Sequence, residues 1–345
     1  MKEKCLIQMK NRILKLFLFC VLVSFICFGD NSKEKKIEDE RFLFGTYVKI
    51  LIYDSDKLKA ENAIKLAFDE IERIDKKYNS KVKNSIIFDL NNMEFINGKK
   101  SISIDEEGAY LLREVSKVYQ LSNKKYDITI SPLMSLWGFD EKVLEIKNIP
   151  NQDEIQNVIK KIDFDKLSFD EKQLTLESPV ENIDTGSFLK GYAIFNASKI
   201  LKEHGITSGF ITSISSLSTI GRKSDGSSWR IGVQNPENSS EILGVLELQG
   251  EAIGISGDYQ TYKEINGKKY HHILDKSNGF PISDKKMVVV VSDSCFLADI
   301  YSTGFFLMKI EDILSYVDKT ENLEVLIVDS NNKIIKSKNI KFIKN

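Results

Sequence analysis

Apolar residues recur along this chain with two different periods. Between Lys57 and Tyr78, the residues Ile64, Ala67, Phe68, Ile71 and Ile74 fall at three- and four-residue spacing, which marks one face of an amphipathic helix. Asp54 and Ser55 are candidate caps before it. Further helices are predicted over about Glu106–Tyr119, within IPNQDEIQNVIKKI (149–162), over Ser187–His204 with Gly205 as C-cap, and from about Ser294 to Met308. Strand-like runs occur at 41–53 (RFLFGTYVKILIY, read as a first strand), 206–214, 229–234, 243–248, 252–256, 270–274 and 287–292. LSFDEKQLTLE (167–177) predicts a hairpin turning at Asp170–Lys172, and LEVLIVDSNNKIIKSK a closing hairpin around Asn331–Asn332. Helices and strands mix without regular βαβ alternation. The expected class is therefore α+β, with mixed or antiparallel sheets flanked by helices, in one large domain spanning 41–345.

The first residues break this pattern. A basic stretch, MKEKCLIQMKNR, precedes the almost wholly apolar ILKLFLFCVLVSFICFG (13–29). That order reads as a secretory signal over 1–27, or as an uncleaved membrane anchor. Cys27 closes the apolar run, where a bacterial lipoprotein signal places its lipidated cysteine. Charged residues without periodicity follow over 28–40 and read as a flexible tether. The folded part is expected outside the cytoplasm, tethered to a membrane. Cys5, Cys20 and Cys27 belong to the targeting segment, which leaves Cys295 alone in the body, without an intramolecular disulfide partner and in core surroundings.

Composition narrows the partners. Lys plus Arg (49) nearly balances Asp plus Glu (50), so no excess of positive charge points to nucleic acid. The chain has only three histidines, and two of them, His271 and His272, are adjacent in YHHILDKSNGFP. Scarce, clustered histidines point to proton transfer or metal ligation, against the plain alternative that one ring packs and the other meets water. In a strand the two would face opposite sides, so at most one enters a given site.

Three other segments could carry chemistry. YDITISPLMSLWGF (126–139) holds Asp127 and a set of aromatics, suited either to packing or to lining a flat heterocyclic ligand. In DTGSFLKGYA (184–193), Asp184 and Gly186 lead into a helix start with Lys190 close by, a possible phosphate cradle that lacks the Walker spacing. In LADIYSTGF (297–305), Asp299 and Thr303 are four residues apart and share a helical face. A carboxylate beside a hydroxyl suits Mg²⁺, which takes few protein oxygens and fills its shell with phosphates and water; the alternative is a simple capping or solvent pair. Together these parts fit phosphoryl transfer from a nucleotide-like donor.

The order of these motifs, together with FGTYVKI, WRIGVQNP (229–236) and AIGISGDYQTY (252–262), resembles the ApbE family of FAD:protein FMN transferases from about residue 44 to the helix at 294–308. The resemblance implies that FAD is bound through its diphosphate with Mg²⁺. A serine or threonine hydroxyl of a partner flavoprotein attacks the phosphorus on the FMN side, and AMP leaves. It implies His272 as the base, and Asp299 and Thr303 as side-chain magnesium ligands with Ser187 contributing its main-chain carbonyl. Asp127, Asp184 and Lys190 would contact FAD, the Ile273 main chain would lie against the nucleotide, and Phe44 would stand beside the ligand.

Three departures accompany the resemblance. SISSLS (213–218) stands where an Asn-Ile-Gly-Gly-Asp type of turn is usual, with Ser215 and Ser216 for glycines and Leu217 for a polar residue, so the serines would be strained if positive φ or close approach to a ligand were required. Ser187 replaces Gly or Ala, and Ile86 stands where a glutamate often appears. The altered turn motivates one alternative, a protein that holds FAD without transferring it. The other alternative is an Mg²⁺-dependent FAD pyrophosphatase that yields FMN and AMP.

Overall fold

The computed structural model describes residues 34–140 and 148–345. The targeting segment, with Cys5, Cys20 and Cys27, lies outside the described residues. Among the described residues no helix is long and apolar enough to cross a membrane.

The expected α+β class is found, built on an eight-stranded sheet. Its strands are β1 (Lys35–Leu43), β2 (Thr46–Asp54), β3 (Gly209–Thr212), β4 (Ser216–Ile220), β5 (Ala252–Gly257), β6 (Lys285–Ser292), β7 (Leu323–Asp329) and β8 (Ile334–Lys336). They lie side by side in chain order and every neighbouring pair is antiparallel. The chain leaves this meander for long excursions after β2, β4, β5 and β6, and those excursions supply the other layers.

Successive side chains of a strand point to opposite faces, and both faces of this sheet are covered. One face (Val48, Ile50, Ile52, Ile211, Val288, Val290, Val325, Ile327) joins the main core beneath four helices. These are α1 (Lys57–Tyr78), α2 (Glu106–Leu121), α3 (Leu189–Glu203) and α4 (Cys295–Phe306). The other face (Leu51, Phe210, Leu217, Met287, Val289, Leu326) packs with Trp229, Leu246 and Leu248 of a three-stranded sheet formed by 229–234, 242–248 and 342–344. A third cluster gathers Leu133, Trp137, Ile265, Tyr270 and Leu274.

Helix α1 buries the predicted stripe, extended by Ala60, Ala63 and Tyr78. Its cap is Asp56, which accepts from the Lys59 amide, and not Asp54 or Ser55. Asp54 instead accepts from the Asp56 amide and pairs with Lys59. The capped helix within 149–162 is Gln152–Ile159, closed by a reciprocal Asn151–Glu154 capping box. The predicted hairpin at 167–177 forms, with Lys99–Ser103 as an unanticipated third strand.

Two expectations at the start of the domain need correction. Residues 35–40 are strand rather than tether, and 41–53 is two strands rather than one. Phe44 and Gly45, with φ of 54° and 71°, form the tight turn between β1 and β2. The sequence KKIEDERFL conceals a strand because β1 is the exposed edge of the sheet. There the ladder to β2 supplies the order, only Ile37 and Leu43 pack on the core, and charged side chains suit an edge that must not recruit another strand.

Candidate active site

Two glycines bring the parts of the site together. Gly254 on β5 faces α4, and a Cβ there would lie 2.2 Å from the Ala298 carbonyl oxygen. Gly191, in the first turn of α3, would place a Cβ 2.3 Å from Asp299 Cβ. Helix α4 therefore seats directly on both, and Asp299 is buried where α3, α4 and the start of β4 meet.

Beside this junction lies a cleft of about 310 Å³. Eight of the residues singled out in the sequence line it: Asp127, Asp184, Ser187, Lys190, His272, Ile273, Asp299 and Thr303. Phe44 does not. It lines an adjoining recess of about 280 Å³ that shares Lys81, Gly186 and Lys190 with the main cleft. Lys125 and Lys81 join Lys190 on the walls, where they face Asp127, Asp184 and Asp299. Lys125 is already paired with Asp275 at 2.7 Å, so the lining charges balance and positive charge is local to the lysines.

The paired histidines separate into two roles. His271 ends the strand Lys268–His271 and is buried. Its Nε2 donates to the Ile282 carbonyl at 2.6 Å, and its Nδ1 accepts from the Ile273 amide at 3.2 Å. Burial pushes its pKa down to about 4, against which the hydrogen bond to Ile282 works only in part. It packs edge-on against Phe306 and has no nitrogen left for chemistry.

His272 follows the strand end and faces the cleft. Its Nδ1 lies 3.1 Å from the Thr261 carbonyl oxygen, which can only accept, so Nδ1 carries the proton and Nε2 the lone pair. The same carbonyl accepts from the His272 amide, so ring and backbone are held at one point. Burial, reinforced by the charge of Lys190, holds the imidazole below its ordinary range, while the bond to Thr261 acts the other way. A neutral ring with a free Nε2 is the form a general base needs.

Asp299 keeps both oxygens partly open. Oδ1 accepts from Ser216 Oγ at 2.8 Å and Oδ2 from the Gly191 amide at 2.9 Å, with Lys190 Nζ 3.8 Å from Oδ2. The expected phosphate cradle at the start of α3 is thus modified, because one of its amides serves Asp299. Asp184 folds onto its own loop by accepting from the Gly186 amide. The Ser187 hydroxyl meets that of Tyr126 at 2.8 Å.

Asp127 lines the cleft, but its carboxylate is already engaged by the protein. Its side chain has no exposure, and its two oxygens accept from the Thr129 amide and hydroxyl, the Phe164 amide and Lys276 Nζ. Only its main chain is left to face the cleft. The Ile273 main chain is engaged as well, its amide with His271 and its carbonyl with the Ile282 amide.

Among the described residues no group of three or more His, Cys, Asp or Glu is placed to hold a metal. A cation at Asp299 would therefore rely on hydroxyl and carbonyl oxygens. The donor set present, one carboxylate with a free lone pair on each oxygen and the Thr303 hydroxyl on the same helical face, fits a hard ion that retains phosphate and water ligands.

The departures also find their places. No residue of 213–218 has a positive φ, so the serines there are unstrained. Ser215 lines the cleft, Ser216 opens β4 and bonds to Asp299, and Ile86 packs against the main core. Trp137 is fully buried, with its indole N–H on the Gly279 carbonyl, whereas Phe139 reaches the cleft and the His272 ring. Thr261, Ser256 and Tyr126 went unnoticed in the sequence as site residues. The only signal for them was their position within the conspicuous segments.

A sequence model of the ApbE family matches residues 44–327. The FAD:protein FMN transferase of Haemophilus influenzae is 27% identical over 277 residues, 77% of this chain and 80% of that one. That of Escherichia coli (strain K12) is 27% identical over 208 residues, so the matched part of this chain spans 59% of that relative's length. The ApbE protein of Thermotoga maritima has the same fold at a TM-score of 0.79 and 27% identity, over 88% of this chain and 97% of that one. The flavin transferase ApbE of Vibrio cholerae, at 20% identity and a TM-score of 0.75, bears on the fold alone.

Proposed function

This chain belongs to the ApbE family, and we propose on that footing that it transfers FMN from FAD to a serine or threonine hydroxyl of a partner flavoprotein, with release of AMP. The observation that carries this reading is the pairing, in one cleft, of a neutral histidine with a free Nε2 and the oxygen set of Asp299 and Thr303 beside Lys190.

The acceptor O–H gives its proton to His272 Nε2. Its oxygen bonds to the phosphorus on the FMN side as the bond from that phosphorus to the bridging oxygen breaks, and AMP departs with the electron pair. Thr261 fixes the ring so that the lone pair is presented without rearrangement. Lys190, only 12% exposed, places positive charge where the diphosphate must sit. When bound, Mg²⁺ held by Asp299, Thr303 and the Ser187 carbonyl would neutralise charge on the diphosphate and the leaving oxygen. Asp184 at the cleft wall, and Phe44 in the adjoining recess, would contact the dinucleotide.

The basic stretch followed by the apolar run 13–29 supports a domain tethered on the extracytoplasmic side of a membrane, through Cys27 lipidation or a retained helix. The passive-binder alternative rests on the altered turn at 213–218. The absence of positive φ there speaks against backbone strain, while Ser215 on the cleft wall keeps the comparison with transfer a matter for the assay.

The test is to incubate the protein with FAD, Mg²⁺ and a candidate membrane flavoprotein, then assay in-gel flavin fluorescence and AMP together. Transfer predicts a fluorescent acceptor and stoichiometric AMP. AMP without labelled acceptor means hydrolysis, and bound, unchanged FAD means storage.

A further inference from the structure

We propose that three serines, Ser216, Ser256 and Ser302, are positioning residues that turn the lone pairs of Asp299 and Thr303 toward a divalent cation. The inference deepens the preceding reading of that cleft and rests on it.

The direction of each hydroxyl follows from counting protons. A hydroxyl has one proton and two lone pairs, and a carbonyl can only accept. Ser302 Oγ lies 2.8 Å from the Asp299 carbonyl oxygen, so its proton is committed there. Ser256 Oγ lies 2.9 Å from Ser302 Oγ, and since Ser302 has no second proton, Ser256 donates. Thr303 Oγ1 lies 3.2 Å from Ser256 Oγ, whose proton is already engaged, so Thr303 donates in turn. The chain therefore runs from Thr303 through Ser256 and Ser302 to the backbone of Asp299. Its effect is to draw the Thr303 proton into the protein and leave that oxygen an acceptor only, on a side chain that lines the cleft. With its proton reversed, the same hydroxyl would present positive charge to an incoming cation.

The second arm acts on Asp299. Ser216 and the Gly191 amide each supply one hydrogen bond, one to each carboxylate oxygen, which fixes rotation of the carboxylate and leaves a lone pair on both. Both arms come from one surface. Ser216 pairs with Gly254 across β4 and β5, and Ser256 is two residues further along β5 on the same face. Helix α4 thus rests on a floor of Ser216, Gly254 and Ser256. Ser302 is 1% and Ser256 7% exposed, so the order of the chain is set from inside the protein.

The test is Mn²⁺ binding, followed by electron paramagnetic resonance, to the full chain and its S256A, S302A, S216A, S256A/S302A and D299A variants, with thermal melts alongside. Removing an outer partner of a metal ligand weakens affinity by about 10–100-fold. That loss is expected for S256A and S302A, with the double variant no weaker than either single, because both break one chain. S216A should lose a similar factor through the carboxylate. Melting temperatures close to the parent's separate this result from misfolding. Wild-type affinity in S256A and S302A, with binding abolished in D299A, overturns the positioning role and leaves the metal reading standing. Undiminished binding in D299A, or no binding by the parent chain, removes the metal reading and this inference with it.

Discussion

Two buried aspartates lie at the wall of the same cleft and are built in opposite ways. Asp127 accepts four hydrogen bonds, one of them from Lys276 Nζ at 2.5 Å, and its carboxylate has no exposure. Asp299 accepts two, both from neutral donors, and the nearest cation, Lys190, stands 3.8 Å away. The first is a closed knot that ties the 126–139 loop to the segment following the histidines. The second is a carboxylate held in place with capacity in reserve. Burial alone does not separate structure from chemistry here. What separates them is how many of each group's lone pairs the protein already uses.

The sharpest way to break this comparison is to substitute both aspartates isosterically. D127N should leave Lys276 partly buried without its counter-charge and cost about 3–5 kcal/mol of stability, measured by denaturant unfolding. D299N should melt near the parent's temperature but lose Mn²⁺ binding and transfer. Equal destabilisation by the two would erase the distinction.

H272A tests the working half of the cleft. General-base removal typically costs about 10²–10⁴-fold in rate, and FAD binding, followed by flavin fluorescence, should persist. Undiminished transfer would take His272 out of the reaction. G191A is expected to cost about 1–3 kcal/mol through overpacking, since the new Cβ would meet Asp299 Cβ and the Cys295 carbonyl. Transfer should fall further than stability, because the same shift displaces the carboxylate. A variant with unchanged activity would show that the α3–α4 contact does not set the position of Asp299.

The smallest effects concern pH. A base acts when neutral, and His272 is held below its ordinary range chiefly by burial, so the acid limb of the kcat/KM profile should lie below 6.5. An acid limb at or above that value would contradict the buried, Thr261-bonded ring. His271 contributes to stability instead. Its folded pKa is depressed to about 4 from 6.5, so between those values the unfolded chain binds more protons, and stability should rise with pH across that window and level off above it. H271Q, which cannot titrate there, should flatten that slope in pH-dependent melts.

Much of this molecule was legible along the chain. The stripe of α1, the hairpin at 167–177, the burial of Cys295 and the segments that converge on the cleft follow from local periodicity, turn residues and residue chemistry. The edge strand β1 escaped because its order comes from a ladder to its neighbour and not from an apolar face of its own. Ser216 read as a liability because a serine in place of glycine suggests strain when its backbone and partners are unknown; in the fold it becomes a donor to Asp299.

The sequence by itself determined which residue types are present and where helices and strands with an apolar face of their own form, since those depend on neighbours within a few positions. The edge strand β1 and the strand Lys99–Ser103 needed their pairing partners. Only the tertiary structure decided which histidine keeps a free nitrogen, which aspartate keeps free lone pairs and which way the Thr303 proton points. The deciding contacts join residues far apart in the chain, such as Lys276 with Asp127 and Gly191 with Asp299, separated by 149 and 108 positions. A hydrogen-bonding group has a fixed capacity, and what remains of it for chemistry is known only when every spatial neighbour has been counted.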